Sequence, residues 1–127
     1  MGKGKGGAVM AIVVICQLAA ALQCAADAHV VGDSAGWNMN ISGWGKNVRF
    51  LAGDTILFRY PKGKHNVVVL DMMACGRCYT NHGDKVYTSG DDIFTLKLGP
   101  TCFICSFPGH CPNMSLQIFA TKQTQKE

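Results

Sequence analysis

Short apolar runs of period two, each closed by turn residues, recur along most of this chain. HVVG (His29–Gly32) reads as the first strand and precedes a loop carrying Trp37 and Trp44. VRFL (Val48–Leu51) leads into the turn Ala52-Gly53-Asp54, and TILFRY (Thr55–Tyr60) is broken by Pro61-Lys62-Gly63-Lys64. HNVVVLD (His65–Asp71), KVYT (Lys85–Thr88), DIFTLKL (Asp92–Leu98), TCFIC (Thr101–Cys105) and MSLQIFAT (Met114–Thr121) complete the series. In DIFTLKL, Ile93, Thr95 and Lys97 alternate with Phe94, Leu96 and Leu98. Roughly seven or eight short strands at this spacing, without a long segment of helical period, predict an all-β antiparallel sandwich or barrel. Asp71–Asp84, DMMACGRCYTNHGD, is the one stretch that fits a short helix and a loop excursion. There is no internal repeat, low-complexity tract or linker.

The N-terminus follows a different pattern. MGKGKGG supplies two lysines and no acid, and the apolar run Ala8–Leu22 follows it. Ala26-Asp27-Ala28 then has the small-x-small form of a peptidase site, so residues 1–28 read as a secretory signal peptide and 29–127 as one domain. The run is shorter than the roughly 20 residues of a membrane span. The C-terminal Ala120–Glu127 is polar and carries no lipid-anchor signal, so the mature chain is expected to be secreted, free of the membrane and monomeric.

Charge excludes one class of partner. The chain has 12 Lys and Arg against 8 Asp and Glu, and losing Lys3, Lys5 and Asp27 leaves it mildly basic. The cations are scattered, which argues against a nucleic-acid stripe and leaves weak attraction to an acidic partner. Of the seven cysteines, Cys16 and Cys24 depart with the leader, leaving Cys75, Cys78, Cys102, Cys105 and Cys111. An odd number in an oxidising compartment means that one thiol is reactive or is held by something other than sulfur.

Cys75–Cys78 and Cys102–Cys105 form two C-x-x-C pairs, a zinc-ribbon signal in a cytosolic protein. The second pair, however, lies in the β-type run TCFIC, where residues three apart face opposite sides, so its sulfurs do not converge readily on one ion. A thioredoxin-like pair would need a βαβ context that is missing. A different set fits better: Cys105-x4-His110-x3-Met114, folded back by Phe107-Pro108-Gly109, with His65 after the turn PKGK as a second imidazole. One thiolate, two imidazoles and a distant thioether make the trigonal His2Cys site with weak axial Met that holds blue copper. Soft sulfur favours Cu(I) and imidazole suits both oxidation states, which fits one-electron exchange and not hydrolysis.

VVGDSAGW, AGDTILFRY, HNVVV, KVYTSG and FICSFPGHC, spread over His29–Ala120, resemble the phytocyanins, small secreted blue copper proteins of plants, and most closely their plantacyanin group. The resemblance implies a cupredoxin Greek-key β-sandwich with copper at one end. It implies ligands at His65, Cys105 and His110, an axial ligand at Met114 and a disulfide Cys78–Cys111. It also implies that Asn66 ties the two ligand loops together. Two departures stand out. The loop from His110 to Met114 holds three residues where the family usually has four. Cys75 and Cys102 are not needed by the family pattern, and their state, as buried thiols or an extra bridge, stays open at the level of sequence.

Other residues read more plainly. His82 in TNHG is expected to face solvent, and His29 becomes the new N-terminal residue. Met72 and Met73 read as apolar cover, and Trp37 and Trp44 as core or rim aromatics. Asn40-Ile41-Ser42 and Asn113-Met114-Ser115 both fit the glycosylation sequon, with Asn40 the better acceptor because a glycan on Asn113 would crowd the copper loop. The expected function is electron transport by one copper ion in the plant extracellular matrix, with a protein or a small phenolic molecule as redox partner. The alternative is a copper-containing cell-wall or cell-surface interaction module. An enzyme is disfavoured, since four protein ligands leave no open position for substrate and there is no second set of histidines.

Overall fold

The computed structural model describes residues 26–123; most of the expected leader, with Cys16 and Cys24, lies outside the described residues. Seven strands form two sheets. β1 (Ala28–Val30), β2 (Thr55–Arg59) and β5 (Asp91–Thr95) make a three-stranded sheet in the order β1-β2-β5. β4 (Val86–Tyr87), β3 (Val67–Leu70), β6 (Gly99–Ile104) and β7 (Ser115–Ala120) make a four-stranded sheet in the order β4-β3-β6-β7. β1 runs parallel to β2, and every other pairing between these strands is antiparallel. This is the all-β sandwich that the strand pattern predicts. No helix among the described residues is long and apolar enough to cross a membrane.

The period-two pattern decides what the sandwich encloses. On β2, Ile56 and Phe58 are fully buried while Thr55, Leu57 and Arg59 are not. Their apolar faces meet Trp37, Phe103, Leu116 and Ile118 in the main core, where Phe58 lies edge-on to Trp37 at 4.9 Å between ring centroids. β6 is different, because Cys102, Phe103 and Ile104 are all buried. A continuous apolar run of this kind marks a strand covered on both faces. Phe103 joins the main core, whereas Cys102 and Ile104 pack with Val68, Leu70 and Cys75 in a second cluster.

That second cluster is roofed by α1 (Met72–Gly76), a single turn of helix in the segment where the sequence allows one. Asp71 starts it by accepting a hydrogen bond from the Ala74 backbone N–H, the usual way to satisfy an orphan donor at a helix start. Cys75 on this turn is bonded to Cys102 on β6, which decides the open question in favour of a second bridge.

Several strand expectations shift. VRFL does not form a strand: only Leu51 makes an isolated bridge, to Thr121, because Val48 and Arg49 are exposed and only Phe50 has a core to enter. DIFTLKL stops pairing at Thr95: the Leu96 N–H still meets its in-register partner Asp54 O (2.7 Å), but the Asp54 N–H turns back to Leu51 O (3.0 Å) and Leu98 turns out to solvent. Met73 gives no apolar cover, being 75% exposed. The first strand begins at Ala28 and not at His29, so a cut after Ala28 falls inside β1.

Candidate metal centre

Three side chains meet at one end of the sandwich. His65 stands just before β3, after the turn in which Lys64 donates its backbone N–H to Pro61 O (3.0 Å). Cys105 follows the last residue of β6, and His110 sits in the loop between β6 and β7. That loop folds back on two backbone hydrogen bonds, from His110 N–H to Phe107 O (3.0 Å) and from Met114 N–H to His110 O (2.8 Å). Cys105 N–H donates to Met114 O (3.1 Å), so the strand end and the return of the loop are held side by side.

The donor atoms lie close together. His65 Nδ1 is 3.1 Å from His110 Nδ1, and Cys105 Sγ is 3.3 Å from His110 Nδ1 and 4.0 Å from His65 Nδ1. Cys105 is fully buried, and the two imidazoles are half-buried. The point equidistant from the three atoms lies about 2 Å from each, close to metal–nitrogen bonds of about 2.0 Å and metal–sulfur bonds of about 2.3 Å. The set therefore fits one small ion of the kind that accepts thiolate and imidazole together. Met114 is buried in the same core as Cys105, directly beyond the loop. Among the described residues, Cys105 is the cysteine left outside a disulfide. Cys78 and Cys111 are bonded to each other, which fixes the residue next to His110.

Supporting contacts hold the ligand loops. Asn66 Nδ2 donates to Ser106 Oγ (2.8 Å), and Ser106 N–H donates to Asn66 Oδ1 (2.8 Å). Trp37 Nε1 donates to the Asn66 carbonyl (2.9 Å). The backbone N–H of Trp37 in turn reaches Arg59 O (2.8 Å), past Gly36, where φ is +71° and a Cβ would lie 2.5 Å from that same oxygen. Behind His65, the buried Tyr60 hydroxyl donates to Asp92 and is 3.1 Å from Tyr87 O; its ring lies 6.4 Å from the His65 ring. Burial and the adjacent carboxylate push the Tyr60 phenol above its usual range, so it stays protonated as a donor. Burial, the neighbouring His110 and Lys64 hold the His65 imidazole below its usual value, which favours the neutral ring that can bind a metal ion.

The Plastocyanin-like domain family matches residues 35–114. The chain is 51% identical over 83 residues to the basic blue protein of Cucumis sativus, covering 65% of this chain and 86% of that protein. It is 42% identical over 120 residues to the basic blue protein of Arabidopsis thaliana, covering 87% and 92%. This chain belongs to the phytocyanins, in the plantacyanin group. Among solved structures, the cucumber basic protein, a blue copper protein, superposes with a TM-score of 0.71 at 47% identity, over 73% of this chain and 98% of that one. Spinach plantacyanin gives 0.66 at 38% identity, over 76% and 100%.

The phytocyanin fold brings together His65, Cys105 and His110, three of the residues singled out in the sequence, with Met114 buried beside them. Asn40 is exposed next to the buried Ile41, and Asn113 is exposed one residue from Met114. His82 is exposed. His29 does not hang free at a chain end: its Nε2 lies 2.9 Å from the fully buried Asp54 carboxylate. Sequence reasoning missed Ser106 and the Trp37–Asn66 contact. Ser106 carries no signal beyond its place next to Cys105, and a tryptophan N–H reveals its acceptor only once the chain is folded.

Proposed function

We propose that this phytocyanin is a secreted carrier of single electrons, with one copper ion that His65 Nδ1, Cys105 Sγ and His110 Nδ1 would hold and Met114 would back from the core. The observation that carries the reading is the convergence of one buried sulfur and two imidazole nitrogens within bonding reach of a single point. Copper bound there supplies a one-electron Cu(II)/Cu(I) couple. The chain supplies the rest. Cys105 offers its sulfur away from water, and His65 and His110 offer their ring nitrogens. The Asn66–Ser106 pair and the Cys78–Cys111 bridge hold both loops in one arrangement, so little has to move when the charge changes. The half-buried His110, next to exposed Pro108 and Gly109, offers an imidazole edge toward solvent for a redox partner, a protein or a small phenolic molecule.

Adding Cu(II) to the secreted protein is expected to produce an intense visible thiolate-to-copper absorption that Cys105→Ser abolishes. A copper-loaded protein without colour overturns the reading. Electron paramagnetic resonance of the same sample reports on the axial contact of Met114.

A further inference from the structure

The carboxylate of Asp54 is fully buried at the end of the β1–β2 pair. Its Oδ2 meets His29 Nε2 (2.9 Å) and the Leu51 N–H (3.0 Å). Its Oδ1 meets the backbone nitrogen of Asp27 at 2.8 Å. Asp27 is also bound from the other side, since its carbonyl accepts from the Thr55 N–H (2.9 Å), and Ala28 pairs with Thr55 in the parallel register of β1. The fold therefore uses the chain from Asp27 onward. A cut after Ala28 would remove a strand residue, strip the Thr55 N–H of its acceptor and take from Oδ1 its hydrogen-bond donor.

The sequence holds a second small-x-small triplet two residues earlier, Cys24-Ala25-Ala26. We infer that the leader is removed between Ala26 and Asp27, and that the new terminal ammonium of Asp27 becomes the ion-pair partner of Asp54. Water adds across the Ala26–Asp27 amide in the signal peptidase; Ala26 leaves as a carboxylate and Asp27 gains an α-amine that takes up a proton. A neutral amide at 2.8 Å from a buried carboxylate is thereby replaced by a cation at the same atom, and a charge-assisted hydrogen bond is shorter and stronger than a neutral one. Processing so placed both releases the chain and strengthens the seam between β1 and the Leu51–Asp54 turn. His29 stays inside β1 as the second partner of the same carboxylate.

The inference rests on the proposed secretion, and the test separates the two. The full chain is expressed in a plant secretory host, and intact mass and N-terminal sequencing are read on both medium and cells. A secreted chain starting at Asp27 supports the inference. A secreted chain starting at His29, or elsewhere, overturns it and leaves secretion standing; a retained, uncut chain overturns both. On the secreted protein, the α-amine is titrated by nuclear magnetic resonance. A pKa raised clearly above the ordinary value of about 7.7–8.0 is expected, and an ordinary value overturns the ion pair. Asp54→Asn in the full chain should return that pKa to the ordinary range.

Discussion

Asn66 and Ser106, forty positions apart, exchange two hydrogen bonds of 2.8 Å each, Asn66 using its amide as donor and as acceptor. Each stands directly after a metal-site residue, His65 and Cys105. The distance between an imidazole on one loop and a sulfur on another is thus set by one side chain that closes both loops.

Asn66→Ala should loosen that clasp. It removes both hydrogen bonds to the exposed Ser106, at a net cost of about 0.5–1.5 kcal/mol each. For a domain of this size each kcal/mol lowers the melting temperature by about 4–8 °C. Calorimetry on the copper-loaded variant is expected to show that loss, together with a broadened visible band as the sulfur and imidazole distances spread. A variant with unchanged melting and an unchanged band would show that the pair holds nothing.

The second bridge allows a separate prediction. Cys75–Cys102 closes a separation of 27 residues and ties α1 to β6, three residues before Cys105. Replacing both cysteines by alanine should lower stability by about 2–4 kcal/mol in chemical denaturation. The copper band should persist in position and intensity, since neither sulfur belongs to the His65–Cys105–His110 group. Loss of the band in a still-folded double variant would mean that the end of β6 depends on this bridge for its place.

The strand series was legible because the core obeys period two: Ile56 and Phe58 point in, and their neighbours do not. The metal group was legible because cysteine, histidine and methionine are concentrated after one strand, beside a Pro-Gly turn. What escaped depended on distant partners. The strand ends at Thr95 because the Asp54 N–H, opposite Leu96, turns back to Leu51 O, and no pattern within DIFTLKL announces that. The state of Cys75 and Cys102 was undecidable from spacing, since only the seating of α1 on the outer face of β6 brings their sulfurs together.

Asp54 gives the fold an acid-sensitive point. Burial raises its pKa, but the hydrogen bond from His29, the N–H groups of Asp27 and Leu51 and the nearby His29 ring outweigh that and hold it below the usual carboxylate range. The folded chain therefore binds fewer protons at this group than the unfolded chain does. Its contribution is fully present above about pH 3.9, the unfolded value, and is lost as pH falls through the lower folded value. The slope of unfolding free energy against pH should be positive in that window and should flatten in Asp54→Asn. An identical slope in the variant would assign the acid sensitivity elsewhere.

On the proposed reading, His65 sets the pH range of metal binding. An ordinary imidazole begins to hold its proton below about pH 6.5, and a protonated ring nitrogen cannot bind an ion. Burial, His110 and the Lys64 ammonium hold the His65 value lower. Two signs follow. Without metal, the unfolded chain takes up a proton near pH 6.5 that the folded ring still refuses, so apo stability at this group falls as pH drops below that value. With metal, proton competition at His65 sets in only at a pH below that of a free imidazole. Lys64→Glu reverses the neighbouring charge and should raise the His65 pKa, so that copper affinity starts to fall at a higher pH than in the unaltered chain. Copper titrations between about pH 4 and pH 8, read by the visible band, measure both onsets. An onset that stays put in Lys64→Glu would show that burial and His110 alone set it.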